Sequence, residues 1–338
     1  MAQALWVKKD ALAETQIVDL PDTPLAEGAV RLAIQSFAVT ANNVTYAVIG
    51  DMFHYWNFFP APEDWGIVPM WGHAIVTHSN CPDISVGERV YGYLPTATQL
   101  DVVPGKISAG GFTDMAEHRQ PMSAIYNQYN RLAADPQHSP AHEDARMIFS
   151  PLFTTGFLIA DFYQRNNWFG AQALIMTSAS SKTAMGLAHC AKAAAQQIRR
   201  IGLTSARNME FVAQTGLYDD VISYDAVSTL AVQPAVSGDF AGNAAVLRAI
   251  HTHFGDQLRF SSTVGMTHVG ARAGEGTPLP GPHTHWNRGG QRLGRSFLGT
   301  AARSVKTQHL AGLTAARDVF LKTLAGDQSP DTGIVIQL

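Results

Sequence analysis

The first 125 residues carry apolar positions in short alternating runs broken by Pro and Gly, the period of strands rather than helices. Ala4–Val7, Thr15–Leu20, Ala29–Gln35 and Ala74–His78 are expected strands. Residues 81–93 are a turn that delivers another, and Gly110-Gly111 opens a further short one. From residue 147 the period changes. Apolar residues recur at helical spacing through 147–166, and a βα alternation follows. Its strands are Ala173–Thr177, Ile198–Leu203, Val221–Tyr224, a run ending at Phe240, and Leu258–Val264. Its helices are Lys182–Ala195, one around Asn208–Thr215, and Ala244–His253. Such alternation implies a parallel, doubly wound sheet that binds its ligand at the carboxyl ends of the strands. Residues 271–299, rich in Gly, Pro and Arg, are expected to form a long loop or lid. The stretch 311–326 is an amphipathic helix stopped by Gly326, and Gly333–Leu338 is a last strand.

Within this pattern one stretch organises the rest. Ala173–Thr177 is a buried strand, Ser178-Ala179-Ser180-Ser181-Lys182-Thr183 a small polar turn, and the helix follows at once. A helix start aims unpaired N–H groups and a positive dipole end at one point, which suits a phosphate. Ser178, Ser180, Ser181, Lys182 and Thr183 are therefore candidate phosphate contacts. A plain strand–turn–helix with a serine cap is the alternative reading of the motif by itself.

Composition adds limits. The chain has 338 residues, which suggests about two domains. It is 46% hydrophobic and 15% charged, with a formal net charge of −3, so a large core is available. No basic tract favours nucleic acid or an anionic membrane. The two cysteines, Cys81 and Cys190, form no metal framework. The first residues lack a signal-peptide core, and no apolar run approaches the roughly 18 residues of a membrane span. A cytoplasmic protein acting on a small molecule is expected.

Four segments, in order, carry a family resemblance: Val30–Asn43, then Gly72-His73-Ala74-Ile75-Val76, then Val86-Gly87-Glu88-Arg89-Val90-Tyr91-Gly92, then Gly110-Gly111-Phe112-Thr113-Asp114-Met115-Ala116-Glu117. The succession resembles the catalytic domain of medium-chain dehydrogenase/reductases, on the side of a zinc-free branch related to quinone and enoyl reductases. The resemblance implies an α/β chain. A GroES-like β-rich domain would span 1–145 and be completed by 300–338, and a Rossmann dinucleotide domain would span 146–299. A homodimer is common in that superfamily.

The cofactor follows from the end of the second βα strand. An acid there would bind the ribose hydroxyls of NAD. Instead Gly202-Leu203-Thr204-Ser205-Ala206-Arg207 holds two hydroxyls and a guanidinium about 20 residues past the turn, a set that suits the 2′-phosphate of NADPH. The resemblance adds Tyr224 near that phosphate, Thr155 near the nicotinamide, and Phe240, Gly265 and Met266 at later strand ends. The serine-rich turn departs from the family's glycine-rich loop. Asn42 or Asn43 is a candidate to orient nicotinamide or substrate, with a turn role as the alternative.

Zinc enzymes of the superfamily ligate through a Cys near the first motif, the His of a "G-H-E" turn and a later Cys or Asp. Here the first position has no Cys and the turn reads Gly72-His73-Ala74. His73, His78 and Cys81 have spacings that scatter side chains along a strand, and His283 and His285 lack companions, so no metal is expected. Without a Lewis acid, hydride transfer suits an activated C=C bond, with Tyr46 as a candidate proton donor to the enolate. Phe53, His54, Tyr55, Trp56, Phe58, Trp71 and Trp286 are candidate walls for a bulky apolar substrate. The leading expectation is an NADPH-dependent, zinc-independent reductase of an enone, quinone or enoyl substrate. A zinc-free carbonyl reductase and a nucleotide-binding protein with little turnover remain open.

Overall fold

A computed structural model describes residues 1–264 and 304–338. The chain divides into two compact units, Met1–Ile148 with Thr307–Leu338, and Phe149–Lys306.

The first unit is built from antiparallel strands. β1 (Gln3–Lys8) pairs with β2 (Ala11–Asp19) and β4 (Trp65–Gly66). The larger sheet contains β3 (Val30–Val39), β5 (Pro69–Ser79), β6 (Arg89–Pro95), β8 (Pro104–Ser108), β9 (Gly111–Asp114), β10 (Gln128–Arg131), β16 (Lys306–Ala311) and β17 (Thr332–Gln337). Its order is β16-β17-β3-β5-β6-β10-β9-β8, and β7 (Gln99–Val102) also pairs with β3. The terminal strand is thus stitched to β3, with Val335 opposite Ala38. Period-2 patterning places Leu32, Ile34, Met70, Ala74, Val76, Val90 and Leu94 in one core, on which Ala316, Val319 and Phe320 of the helix Gly312–Leu324 close.

Residues 41–48, to which the sequence pattern assigns no element, form helix α1. Thr40 is its N-cap, and Asn43 completes a capping box by accepting from the Thr40 backbone N–H at 2.7 Å. Two orphan donors are satisfied reciprocally, which ends β3 and starts the helix within one residue.

Helix α2 (Glu143–Arg165) leads into the second unit. There β11 (Ala173–Met176), β12 (Arg199–Thr204), β13 (Asp220–Ser223), β14 (Ala235–Asp239) and β15 (Leu258–Thr263) form an all-parallel sheet in the order β13-β12-β11-β14-β15. This is the dinucleotide-fold order, and its reversal lies between β11 and β14. Helices α3 (Lys182–Ala194), α4 (Met209–Gln214) and α5 (Ala244–Phe254) connect the strands. β11 is buried at every position, as a strand covered on both faces must be. Among the described residues no helix is long and apolar enough to cross a membrane. Gly265, Met266, His283, His285, Trp286 and the expected loop 271–299 lie outside the described residues.

Candidate functional site

Two groups of residues carry chemistry, one in each unit.

In the parallel sheet, the turn after β11 meets the first turn of α3. Ser178 sits in left-handed backbone at φ 46°, a conformation that favours glycine. Its N–H donates to the Tyr224 hydroxyl at 3.1 Å. The Ala179 N–H donates to the Leu203 carbonyl at 3.0 Å, and the Tyr218 hydroxyl donates to the Ala179 carbonyl at 2.7 Å. These bonds lay the turn across the end of β12. The approach requires Gly202, because a Cβ there would stand 2.9 Å from both the Ala179 Cβ and the Tyr218 ring.

Ser181 is the N-cap of α3, and its hydroxyl accepts from the Ala184 N–H at 3.2 Å. It satisfies one first-turn donor and leaves the positive end of the helix dipole at the turn after β11. Ser180 is buried, its hydroxyl 3.4 Å from Nδ2 of Asn208, which ties the turn to the segment after β12. Lys182 and Thr183 are half-buried on the first turn. Thr155 lies beside this turn through its neighbour Gly156, where a Cβ would stand 2.5 Å from the Leu187 nitrogen and 2.8 Å from the Thr183 carbonyl. The Thr155 hydroxyl itself turns back to the Pro151 carbonyl at 3.4 Å.

At the end of β12, Thr204 is buried and the Ser205 Oγ is a buried polar atom with no partner among the described residues. Arg207 stands exposed beside it, with no ion pair to any described residue. The acids of this region are committed elsewhere. Asp219 pairs with Arg200 at 2.6 Å, and Asp220 pairs with Arg199. A hydroxyl without a partner and a guanidinium without a carboxylate are a donor set for an added anion.

Sequence reasoning missed Asp239, fully buried at the end of β14. It accepts from the Thr177 hydroxyl and from the Gly242 N–H at 3.0 Å, while the Phe240 N–H donates to the Thr177 hydroxyl at 3.0 Å. This carboxylate pins the ends of β11 and β14 at the point where strand order reverses. The only sequence signal is a lone acid after an apolar run, Ala235-Val236-Ser237-Gly238-Asp239.

In the first unit, Tyr46 is buried and its hydroxyl accepts from Nε1 of Trp71 at 3.3 Å. Rings gather around it, with centroids at 4.5 Å for Tyr55, 5.6 Å for Tyr93 and 6.4 Å for Tyr126. Burial pushes the Tyr46 phenol well above its ordinary value, so it holds its proton at neutral pH. Phe58 joins this cluster. Trp56 does not. It fills the sheet core between Gly50 and Gly66, where a Cβ would stand 2.2 Å and 2.3 Å from its ring. Phe53 and His54 are exposed, His54 at φ 60°. Asn43 is buried in its capping box, and its Nδ2 donates to the Pro69 carbonyl at 2.8 Å, so its amide ties α1 to β5. Of the histidines and cysteine weighed as ligands, His73 is buried in β5, His78 is exposed and Cys81 is buried.

The sequence matches, over residues 37–325, the family model described as "Protein of unknown function (DUF2855)". No curated protein matches it. Solved structures share its fold. One is CurA from Vibrio vulnificus in complex with NADPH, with a TM-score of 0.65 and 13% identity over 99% of this chain and 98% of that one. Another is mycobacterial Rv1454c complexed with NADPH, with a TM-score of 0.59 and 14% identity over 100% of this chain and 100% of that one. A third is a quinone oxidoreductase from Pseudomonas syringae pv. Tomato, with a TM-score of 0.56 and 14% identity over 99% of this chain and 100% of that one. These likenesses show that the chain shares its fold with those proteins.

Proposed function

The chain belongs to the DUF2855 family, whose description assigns no activity, and we propose that it is an NADPH-dependent oxidoreductase that reduces an activated C=C bond of an apolar, conjugated carbonyl compound. The observation that carries the reading is the carboxyl edge of the parallel sheet. There the capped start of α3 follows β11, at the strand-order reversal, and the next strand, β12, leads to a Ser205 hydroxyl and an Arg207 guanidinium that have no partner among the described residues. The fold shared with NADPH complexes of CurA and Rv1454c supports it.

The residues fit the group. The α3 start, with Lys182 and Thr183, would take the pyrophosphate. Ser205 and Arg207 would take the 2′-phosphate, and Tyr224 braces the turn through Ser178. Bound NADPH supplies a hydride. The protein's own part is to hold the substrate flat among Tyr55, Trp71 and Tyr126 and to keep a proton on Tyr46 until an enolate oxygen or carbon requires it. No metal takes part in this reading.

The test is a fluorescence titration with NADPH and NADH, followed by NADPH oxidation with a paired enone and saturated ketone. NADPH binding with turnover of the enone alone is expected. Absence of NADPH binding at high micromolar concentration refutes the proposal. Arg207→Ala should weaken NADPH by about tenfold and leave NADH nearly unchanged, since one charge-assisted contact is worth roughly 1.5–3 kcal/mol. Equal loss for both cofactors removes Arg207 from phosphate recognition.

A further inference from the structure

The antiparallel register of β5 and β6 sets His73 opposite Tyr91 and Trp71 opposite Tyr93. These side chains share the face that Gly72 and Gly92 do not use. A Cβ on either glycine would run into the adjoining strand of the same sheet, 2.2 Å from the Ser36 carbonyl oxygen of β3 or 2.4 Å from the Tyr129 ring of β10. On the shared face the His73 and Tyr91 rings lie 5.2 Å apart, and Trp71 lies 5.8 Å from Tyr91. Arg146 of α2 lays its guanidinium over the Tyr91 ring at 4.1 Å and is anchored through Nη2 to Asp135 at 2.5 Å.

What distinguishes this group is its unmet hydrogen bonding. Both ring nitrogens of His73, the Tyr91 hydroxyl and Nη1 of Arg146 are buried without a partner among the described residues. His73 is 0% exposed, Arg146 4% and Tyr91 6%. Each such group costs about 1–3 kcal/mol when left unpaired, so several around one ring pair call for an occupant.

The occupant's chemistry follows from charge and shape. Burial lowers His73 to about 4, so it is neutral, and burial keeps Tyr91 protonated. Donors therefore outnumber acceptors. The nearby cations are already balanced, Arg146 by Asp135 and Arg89 by Glu143 at 2.8 Å. An anion would add an uncompensated buried charge, which a neutral oxygen acceptor does not. Trp71 stacks on Tyr91 at an interplanar angle of 23°, and such a layer of parallel rings is extended most readily by another planar, conjugated group. Trp71 and Tyr126 are half-buried, with ring centroids 6.0 Å apart, and link this group to the Tyr46 cluster.

We propose that His73, Tyr91 and Arg146 form a seat for the carbonyl oxygen of a planar conjugated ketone, an assignment that rests on the reductase reading for the class of compound. The seat fixes which end of the substrate enters first, and Trp71 and Tyr46 meet the conjugated chain beyond it.

Calorimetric titration of the full chain, with and without NADP⁺, tests this directly. The probes are 4-phenyl-3-buten-2-one, the carboxylate cinnamate, and the hydrocarbon 1-phenyl-1-butene. The ketone should bind about tenfold more tightly than either of the others, the loss of one to two hydrogen bonds. Tyr91→Phe should weaken the ketone by about tenfold, leave the hydrocarbon unchanged, and keep or raise the melting midpoint, because the hydroxyl has no partner to lose. Arg146→Lys keeps a cation for Asp135 and should also weaken the ketone. Equal binding of all three probes overturns the proposal, as does cinnamate binding most tightly or Tyr91→Phe retaining ketone affinity. An NADPH titration of the same sample reads the reductase proposal separately, so either can fail while the other stands.

Discussion

Gly156→Ala tests how the anion-binding turn is held in place. Gly156 lies in α2, and the Cβ it lacks would stand 2.5 Å from the Leu187 nitrogen, 2.8 Å from the Thr183 carbonyl and 2.9 Å from the Gly186 carbonyl carbon. All are backbone atoms of α3, so no side chain can swing away. Helix α3 itself must shift. Overpacking of this kind costs about 1–3 kcal/mol, and contact with backbone belongs at the upper end. Replacing a helical glycine by alanine returns about 1 kcal/mol of propensity. The net expectation is a loss of about 2 kcal/mol, a fall of roughly 4–8 °C in melting midpoint for a unit of this size. Gly186→Ala is the internal control. It gains the same propensity, but its nearest contact is the Phe153 Cα at 3.2 Å, which a small adjustment relieves. Thermal and urea transitions of both variants should place Gly156→Ala well below Gly186→Ala. NADPH affinity should fall with it, because the displaced atoms form the first turn of α3. If Gly156→Ala is as stable as Gly186→Ala, the close helix approach is not what positions the turn.

Tyr46→Phe should lower enone turnover by about 10²-fold or more while NADPH affinity stays nearly intact, the usual scale of a lost proton donor. Unchanged turnover in a steady-state assay removes Tyr46 from the mechanism. His73 is neutral when folded down to about pH 4, whereas the unfolded chain takes up that proton near its ordinary 6.5. Stability should therefore fall as pH drops from 6.5 toward 4, by up to about 3 kcal/mol from this group. His73→Leu should flatten that stretch of the urea-midpoint profile, and an unaltered profile means His73 is not the group responsible. Ser178→Gly relieves a left-handed serine and should raise the melting midpoint slightly, by about 1 kcal/mol of strain. Elemental analysis of the purified protein should find no stoichiometric zinc.

Much of the fold was legible because the periods are strong. The switch from alternation to βα repeats marked the change from antiparallel to parallel sheet, and the runs Ala173–Thr177 and Leu258–Val264 match observed strands to within a residue. Helix α1 was not legible. Its cap pairs Thr40 with an asparagine rather than a Glu or Gln, so Asn42-Asn43 offered a binding or turn role and no helix start. Trp56 and Tyr55 are adjacent in an aromatic run that composition treats as one wall, yet two glycines draw Trp56 into the core and leave Tyr55 in the Tyr46 cluster.

The sequence by itself determined the β-rich character of the first unit, the order of the βα elements in the second, the hydroxyl-and-lysine turn and the acid-free end of the second parallel strand. These are local properties, written in spacing and side-chain chemistry. Only the tertiary structure decided which polar groups are satisfied. Ser181 is spent on its helix cap, Asn43 on its capping box and Asp239 on the strand ends, whereas Ser205, His73, Tyr91 and Arg146 keep atoms without partners among the described residues. That distinction depends on burial and on residues distant in the chain, which no local pattern encodes, and it separates groups that hold the fold from those open to a ligand.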